Sequence, residues 1–155
     1  MLQRIQSVYL LLASLAIFAL FLFPLAHNVY VNGVPINITV MGSYIDAGGQ
    51  QVLKDHFAAL TAVTAIVGII PLIVIFLYKN RKQQITLCYS TILVIIGYSF
   101  WLAQSAKTVT GGVTLAPANF GIGLFLCPFS ILLLILAIKG IQRDEKLIKS
   151  ADRLR

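Results

Sequence analysis

Two histidines and the carboxylates between them are the residues of this sequence whose types could do chemistry. His27 and His56 bound one long segment that also contains Asp46 and Asp55. If that segment folded back on itself, these imidazole and carboxylate groups could bind a metal ion or exchange a proton. The sequence has no nucleophile elbow, no HExxH and no GxxxxGK[ST] loop that would support catalysis. We therefore expect helix-end histidines with no shared task, and we predict no catalytic residue, no cofactor and no metal.

Ionisable side chains are missing from the interiors of the long apolar stretches. In a membrane, such side chains are the usual markers of proton relays and ion-coupled transport. The polar groups inside the stretches are hydroxyls, thiols and amides, such as Ser14, Thr64 and Cys88. Groups of this kind more often form hydrogen bonds between helices than bind ligands. The pattern therefore argues against an ion-coupled pump.

Four long apolar stretches organise the chain. Hydrophobic residues make up 59% of the 155 residues and charged residues only 11%, which is unlike a soluble domain. Each stretch is close to the roughly 20 residues that a helix needs to cross a hydrocarbon core. The fold class expected from this pattern is an all-α membrane protein, a four-transmembrane-helix bundle. Its spans are predicted at about 5–25, 56–78, 85–105 and 120–138, with outer loops at 27–55 and 106–118.

The basic residues set the expected orientation. Of the twelve Lys and Arg residues, all but Lys54 and Lys107 lie at Arg4, in the segment 79–82, or in the tail from Lys139 onward. These three places share one side of a membrane if every stretch crosses it, and short basic segments stay on the cytoplasmic side. We expect both termini in the cytoplasm and the chain in a bacterial inner membrane. This orientation accounts for the net charge of +7, so nucleic acid is not expected as a partner.

The first outer loop contains a hairpin pattern. Residues 29–40 alternate apolar and polar side chains around Asn32-Gly33, the strongest short-range signal for a two-residue hairpin turn. The pattern predicts a small periplasmic β-hairpin cap. Residues 107–115 of the second loop are also β-branched around a glycine pair, so strands from both loops could pair into a three- or four-stranded cap.

Small residues and prolines mark two of the stretches. Small residues at four-residue spacing let helix backbones approach closely within lipid, and a proline inside a helix removes a hydrogen bond and can bend it. For the prolines, a static kink that shapes the bundle is favoured over a moving hinge. The candidate packing residues are Ala58, Ala62, Ala65, Gly68 and Gly123, and the candidate kinks are Pro71 and Pro128.

The tail at 141–155 is predicted to continue the fourth stretch into the cytoplasm as a basic amphipathic helix. Its apolar residues recur at helical spacing, Glu145 and Lys149 form a favourable i,i+4 pair, and no proline interrupts it. Either the anionic lipid headgroups of the membrane surface or another protein could cover its apolar side. The candidate contact residues are Arg4, Arg143, Lys146, Leu147, Lys149, Arg153 and Arg155.

The two ends of the sequence also resemble a known family. The opening MLQRIQSVYLLLA and the closing RDEKLIKSADRLR are similar to those of an uncharacterised Bacteroidota membrane-protein family catalogued as domain of unknown function 4293. The resemblance covers the full length and implies an inner-membrane location with an uncleaved N-terminus. It implies no activity, cofactor or catalytic residue.

Two functions from different classes fit these observations. The favoured one is a non-enzymatic accessory or scaffolding subunit of a larger inner-membrane assembly, with other membrane subunits as partners. The alternative is a small homo-oligomeric channel or carrier for lipid or another apolar solute. The first function is favoured by two features. The apolar stretches lack ionisable groups in their interiors, and the tail has an apolar side that another protein could cover.

Overall fold

The computed structural model describes residues 2–47, 50–78, 80–111 and 117–152. It contains four α-helices and four β-strands, with short 3-10 turns at Ala19–Phe21 and Pro117–Asn119. In chain order the elements are α1 (Leu2–Phe18), β1 (Ala26–Val31), β2 (Val34–Ile38), β3 (Gly42–Ala47), β4 (Gln50–His56), α2 (Ala58–Phe76), α3 (Arg81–Thr110) and α4 (Gly123–Asp152).

The prediction of an all-α bundle of four transmembrane helices is wrong. The segment between α1 and α2 folds into a four-stranded antiparallel sheet in the order β1-β2-β3-β4, so the fold mixes helices and sheet. Within the described residues, three helices are long and apolar enough to cross a membrane: α2, α3 and the part of α4 at Gly123–Ile148. The first apolar helix, Ile5–Phe21, is shorter.

The helices expose large apolar side chains around the bundle. Ile66 on α2, Leu93 and Phe100 on α3, and Phe125 on α4 are 60%, 71%, 72% and 65% exposed. A soluble monomer rarely presents so much apolar surface, whereas lipid tails cover such a surface readily. The chain therefore has the surface expected of a membrane protein.

Helix α1 packs against both α2 and α4. Its buried face contains Leu10, Ala13, Ser14 and Ile17, which recur at the spacing of one helix face. The small pair Ala13-Ser14 lets both neighbouring helices approach closely. The Ser14 hydroxyl donates to Gly68 O of α2 at 2.6 Å, and the Ser130 hydroxyl of α4 donates to Ala13 O at 3.0 Å.

We expect Ser14→Ala to lower the free energy of unfolding by about 1 kcal/mol, the usual net contribution of one hydrogen bond. The bond joins α1 to the turn of α2 that precedes Pro71. Ser99→Ala is the control, because that exposed hydroxyl bonds only Ile96 O of its own helix. Thermal unfolding in mild detergent measures both variants, and equal losses would contradict the interhelical role.

The sheet is built from two consecutive hairpins. The hairpin predicted at Asn32-Gly33 is present: β1 pairs with β2 up to Val31 and Val34, and the two turn residues have φ of 52° and 80°. Positive φ at both central residues is the hairpin geometry that Asn-Gly favours. The hairpin is not alone, because β3 and β4 extend it through the pairing of β2 with β3.

The predicted strand in the second loop is not found where the structure describes it. Lys107–Thr110 form the last turn of α3, which ends at Gly111 with φ of 61°, and residues 112–116 lie outside the described segments. In the described part of this loop, only an isolated bridge between Phe120 and Ala26 contacts the sheet in strand fashion. The sheet therefore comes from the first loop.

A tight junction joins the sheet to α4. Gly121 N donates to Leu25 O at 2.9 Å and Gly123 N donates to Pro24 O at 3.1 Å. The Asn119 amide donates to the carbonyls of the first residues of β1, at 2.6 Å for Asn28 O. These bonds cover the start of the outer edge of β1 with the segment that leads into α4.

The bundle thus has two chemically different ends. At the sheet end, α2 and α4 begin next to the strands. At the other end, called the basic end, α1 begins beside the loop between α2 and α3, with Gln6 and Arg81 lining one cavity. Helix α4 runs without interruption through Pro128 past this end, so the fourth stretch and the described part of the tail form one helix.

Candidate functional site

The open edge of the sheet is the surface of this fold best suited to binding. In the sheet order, β4 is an edge strand with β3 as its neighbour. Residues 51–56 of β4 are all exposed. Within the described segments, no strand pairs with the outer side of β4.

The opposite edge of the sheet, formed by β1, differs from the β4 edge. The start of the β1 edge is covered by Asn119, Phe120 and Gly121, which pair with the backbone of residues 25–28. An uncovered edge presents unpaired N–H and C=O groups that can pair with another chain, and proteins usually protect such edges. Charged Lys54 and Asp55 protect β4 only in part.

Both faces of β4 are available to a partner. Val52 is 52% exposed and Leu53 is 46% exposed, and their side chains project to opposite faces of the strand. Val52 pairs with Ile45 and Leu53 with Tyr44 in the ladder to β3. An added strand would therefore gain main-chain hydrogen bonds and an apolar contact on each face.

The structure does not bring the two histidines together. His27 lies on β1 and His56 on β4, at opposite edges of the sheet. Three strand spacings separate the two edges, about 14 Å. The Asp55 carboxylate accepts a hydrogen bond from the Ser43 hydroxyl at 3.1 Å instead, and among the described residues no group of His, Cys, Asp and Glu could hold a metal ion.

A second candidate site is the cavity at the basic end, called the Arg81 cavity. It has a volume of about 440 Å³. Helices α1, α2 and α3 all contribute to it, together with the loop between α2 and α3. Its lining residues are Gln6, Ser7, Ile75, Phe76, Tyr78, Arg81 and Gln84.

Two glutamines hold the elements around this cavity. The Gln6 amide donates to the Asp144 carboxyl of α4 at 2.6 Å, and the Gln84 amide of α3 donates to Val74 O of α2 at 3.2 Å. All three side chains involved are buried. Gly140 allows this approach, since a Cβ there would lie 2.9 Å from Gln6 Cγ.

We expect Gln6→Ala to lower the free energy of unfolding by about 1–3 kcal/mol, because it leaves the buried Asp144 carboxyl without this donor. The matched control is Gln83→Ala on the surface of α3, where the side chain is exposed and accepts only from Asn80. That change should remain within about 0.5 kcal/mol of the parent chain. Chemical or thermal unfolding in detergent compares them, and a Gln6→Ala variant as stable as Gln83→Ala would contradict the role of this bond.

The predicted tail residues lie beyond the basic end along α4. Arg143 and Lys146 are exposed, and Leu147 is 52% exposed. Lys149 lies within α4, while Arg153 and Arg155 fall outside the described residues. Arg4 lies in the first turns of α1.

The predicted packing and kink residues have different surroundings. Gly68 is buried, and a Cβ there would lie 3.0 Å from the Phe18 ring; Gly123 is pressed against the carbonyls of Phe23 and Pro24. The alanines of α2 face outward instead, since Ala58 and Ala62 are exposed and Ala65 is half-buried. Pro71 is buried and Pro128 is exposed, each inside a continuous helix.

Sequence reasoning did not identify the Arg81 cavity or the β4 edge. Gln6 shares a helix face with Leu10, Ala13 and Ile17, so the helical period could have indicated its burial. The opposing residue, Asp144, offered no such signal, because the register between α1 and α4 is a tertiary property. For β4, the sequence QQVLKDH lacks the alternation of a half-buried strand.

Comparisons with curated proteins and with protein-family models bear on the identity of the chain. No curated protein matches the chain. A family model matches residues 2–154, nearly the whole sequence, as the resemblance of the two ends implied. The chain therefore belongs to the family described as Domain of unknown function (DUF4293).

Proposed function

We propose that this protein is a non-enzymatic accessory or scaffolding subunit of a larger bacterial inner-membrane assembly. Its task is to hold a partner subunit at the sheet end by pairing an extended partner segment with β4. The observation that carries this proposal is the exposed edge of β4, which has no covering segment among the described residues, whereas the start of the opposite edge, on β1, is covered.

Strand addition suits this edge on physical grounds. Main-chain hydrogen bonds supply affinity in such complexes, and alternate side chains supply selectivity. Strand β4 is seven residues long, enough for several ladder bonds. Lys54 and Asp55 add charges of both signs, which would set the register of the added strand.

The orientation follows from the basic residues. Arg81, Lys82 and Arg143 lie at or beyond the basic end, which we place in the cytoplasm by the positive-inside rule. The sheet then lies on the opposite, periplasmic side. The partner segment is accordingly an extended periplasmic stretch of another inner-membrane subunit.

The end of α4 supplies a second contact in this proposal. Leu147 and Ile148 are 52% and 47% exposed next to the cationic Arg143 and Lys146. Exposed apolar and basic side chains on one helix suit the anionic headgroup layer. The tail would thus hold the basic end at the cytoplasmic surface.

Cross-linking from two lysines tests the proposal. The tagged full-length chain is purified in mild detergent at native expression level after treatment with an amine-reactive cross-linker. We expect a stoichiometric partner linked to Lys54 on β4 more strongly than to exposed Lys107, in the last turn of α3. Recovery of the chain alone, or of links only between its own copies, would contradict the proposal and favour a homo-oligomer.

A further inference from the structure

One guanidinium nitrogen in the Arg81 cavity has no partner among the described residues. Nη1 of Arg81 is buried and makes no hydrogen bond to any described residue. A buried donor without an acceptor is costly, and more so when it is charged. The arrangement indicates a site that is completed by a bound anion.

The amide N–H groups of the two glutamines that line the cavity already have acceptors. The Gln6 amide bonds Asp144 and the Gln84 amide bonds Val74 O. The Asp144 carboxyl is thereby directed toward α1, and Asp144 does not line the cavity. No described residue accepts a hydrogen bond from Arg81 Nη1, so this donor is available to an anion in the cavity.

The start of α3 adds positive potential at the same place. Arg81 is the first residue of α3, and its N-cap residue Asn80 makes no side-chain capping bond; the Asn80 amide donates to Gln83 Oε1 at 3.1 Å instead. The free N–H groups and dipole of a helix start favour negative charge.

The walls of the cavity restrict the kind of anion. Ile75 and Phe76 form an apolar side, and Phe76 and Tyr78 are 79% and 54% exposed. The volume of about 440 Å³ falls in the range of small-molecule sites, roughly 300–1,000 Å³. A phosphate that carries an apolar tail matches a guanidinium beside an apolar wall better than a small inorganic anion does.

We propose that the Arg81 cavity binds the headgroup phosphate of an anionic phospholipid. Arg81 donates to the phosphate oxygens, the start of α3 adds positive potential, and the first acyl methylenes lie along Ile75 and Phe76. The site is separate from the β4 edge and does not depend on the proposed partner. It would fix the loop between α2 and α3 at the level of the headgroups.

Lipid retention measured by native mass spectrometry tests this assignment. The full-length chain is taken from nanodiscs of phosphatidylcholine and phosphatidylglycerol into mild detergent, and bound lipids are counted. We expect preferential retention of one phosphatidylglycerol, and a loss of about tenfold in its affinity in Arg81→Gln, since a hydrogen bond to a charged group corresponds to at least that factor. Lys82→Gln, on the exposed face of the same turn, should change the affinity less than about threefold.

A second variant, a melting control and competition by inorganic phosphate complete the test. Arg81→Lys keeps the charge without the planar fork and should bind more tightly than Arg81→Gln, and unchanged melting of the lipid-free variants shows that the fold is intact. Retention of phosphatidylglycerol that is equal in the parent chain and Arg81→Gln would overturn the site. Displacement of the lipid by millimolar inorganic phosphate, with no preference for phosphatidylglycerol, would overturn the lipid assignment in favour of a soluble phosphate.

Discussion

Proline at one of two adjacent positions in β4, Val52 or Leu53, should reduce recovery of the partner subunit about tenfold and leave the fold intact. In an antiparallel ladder, the N–H groups of successive residues point alternately toward the neighbouring strand and away from it. One of these two residues therefore bonds β3, and the other directs its N–H to the open edge. Proline removes that outward donor, which an added strand would use.

The size of the effect follows from the donor that is lost. A partner carbonyl left unsatisfied at the buried ladder costs about 1–3 kcal/mol, and 1.4 kcal/mol already corresponds to a factor of ten. The proline ring adds a steric obstacle to the approaching strand. At the other position, proline breaks a bond to β3 and should destabilise the sheet instead.

Thermal unfolding shows which of the two positions directs its N–H to the open edge, and this measurement does not involve the partner. The variant that melts like the parent chain is the outward one, and its recovery of the partner is then quantified. Val52→Ala and Leu53→Ala are the matched controls, because they keep both N–H groups and should retain the partner within about threefold. A fold-intact proline variant with parental recovery of the partner would contradict strand addition.

The second large effect is expected at the junction between the sheet and α4. Gly121→Ala should lower the free energy of unfolding by about 3 kcal/mol, near the upper end for overpacking of a well-packed site. A Cβ at Gly121 would lie 2.1 Å from Pro24 O and 2.8 Å from Pro24 C. These are backbone atoms, so no side chain can rotate away, and the bond from Gly121 N to Leu25 O must lengthen.

The chain provides its own control for this substitution. Gly97 lies in the middle of α3, and a Cβ there would meet nothing within 4 Å. Gly97→Ala should therefore be neutral or stabilising by about 0.5–1 kcal/mol, the helix preference of Ala over Gly. Denaturant titration in detergent compares the two, and a Gly121→Ala variant as stable as Gly97→Ala would show that the junction tolerates movement.

The sequence alone was sufficient to predict the elements whose signals lie within a single segment of the chain. The hairpin at Asn32-Gly33 was predictable because two positive φ values need these residue types. The long apolar helices were predictable because their length and composition are distinctive. The continuation of the fourth stretch into the tail was predictable because the helical spacing of apolar residues persists beyond Lys139 without a proline, and α4 runs through to Asp152.

The second hairpin was missed for a physical reason. Strand β4 has exposed side chains on both faces, so QQVLKDH shows no period of two. Its stability comes from pairing with β3, a contact that no single segment reveals. The prediction of an all-α fold arose because the strands of the second hairpin were interpreted as part of a loop.

The candidate sites depend still more on tertiary structure. The position of Arg81 in a basic segment was visible, but its unpartnered nitrogen results from three helices meeting around Gln6 and Gln84. The β4 edge is a candidate site because no described segment pairs with it, whereas the segment before α4 covers the start of β1. A sequence pattern can place a strand, but it does not say which side of it stays open.

Hydrogen–deuterium exchange of β4 tests the central claim most directly. The amides of residues 50–56 are compared in the complex as purified in mild detergent and in the same chain stripped of its partner. We predict that the outward amides of β4 exchange at least about tenfold more slowly in the complex, because an added strand would protect them, while α3 is unchanged. Equal exchange of β4 in the two samples, with the partner demonstrably bound, would contradict the claim.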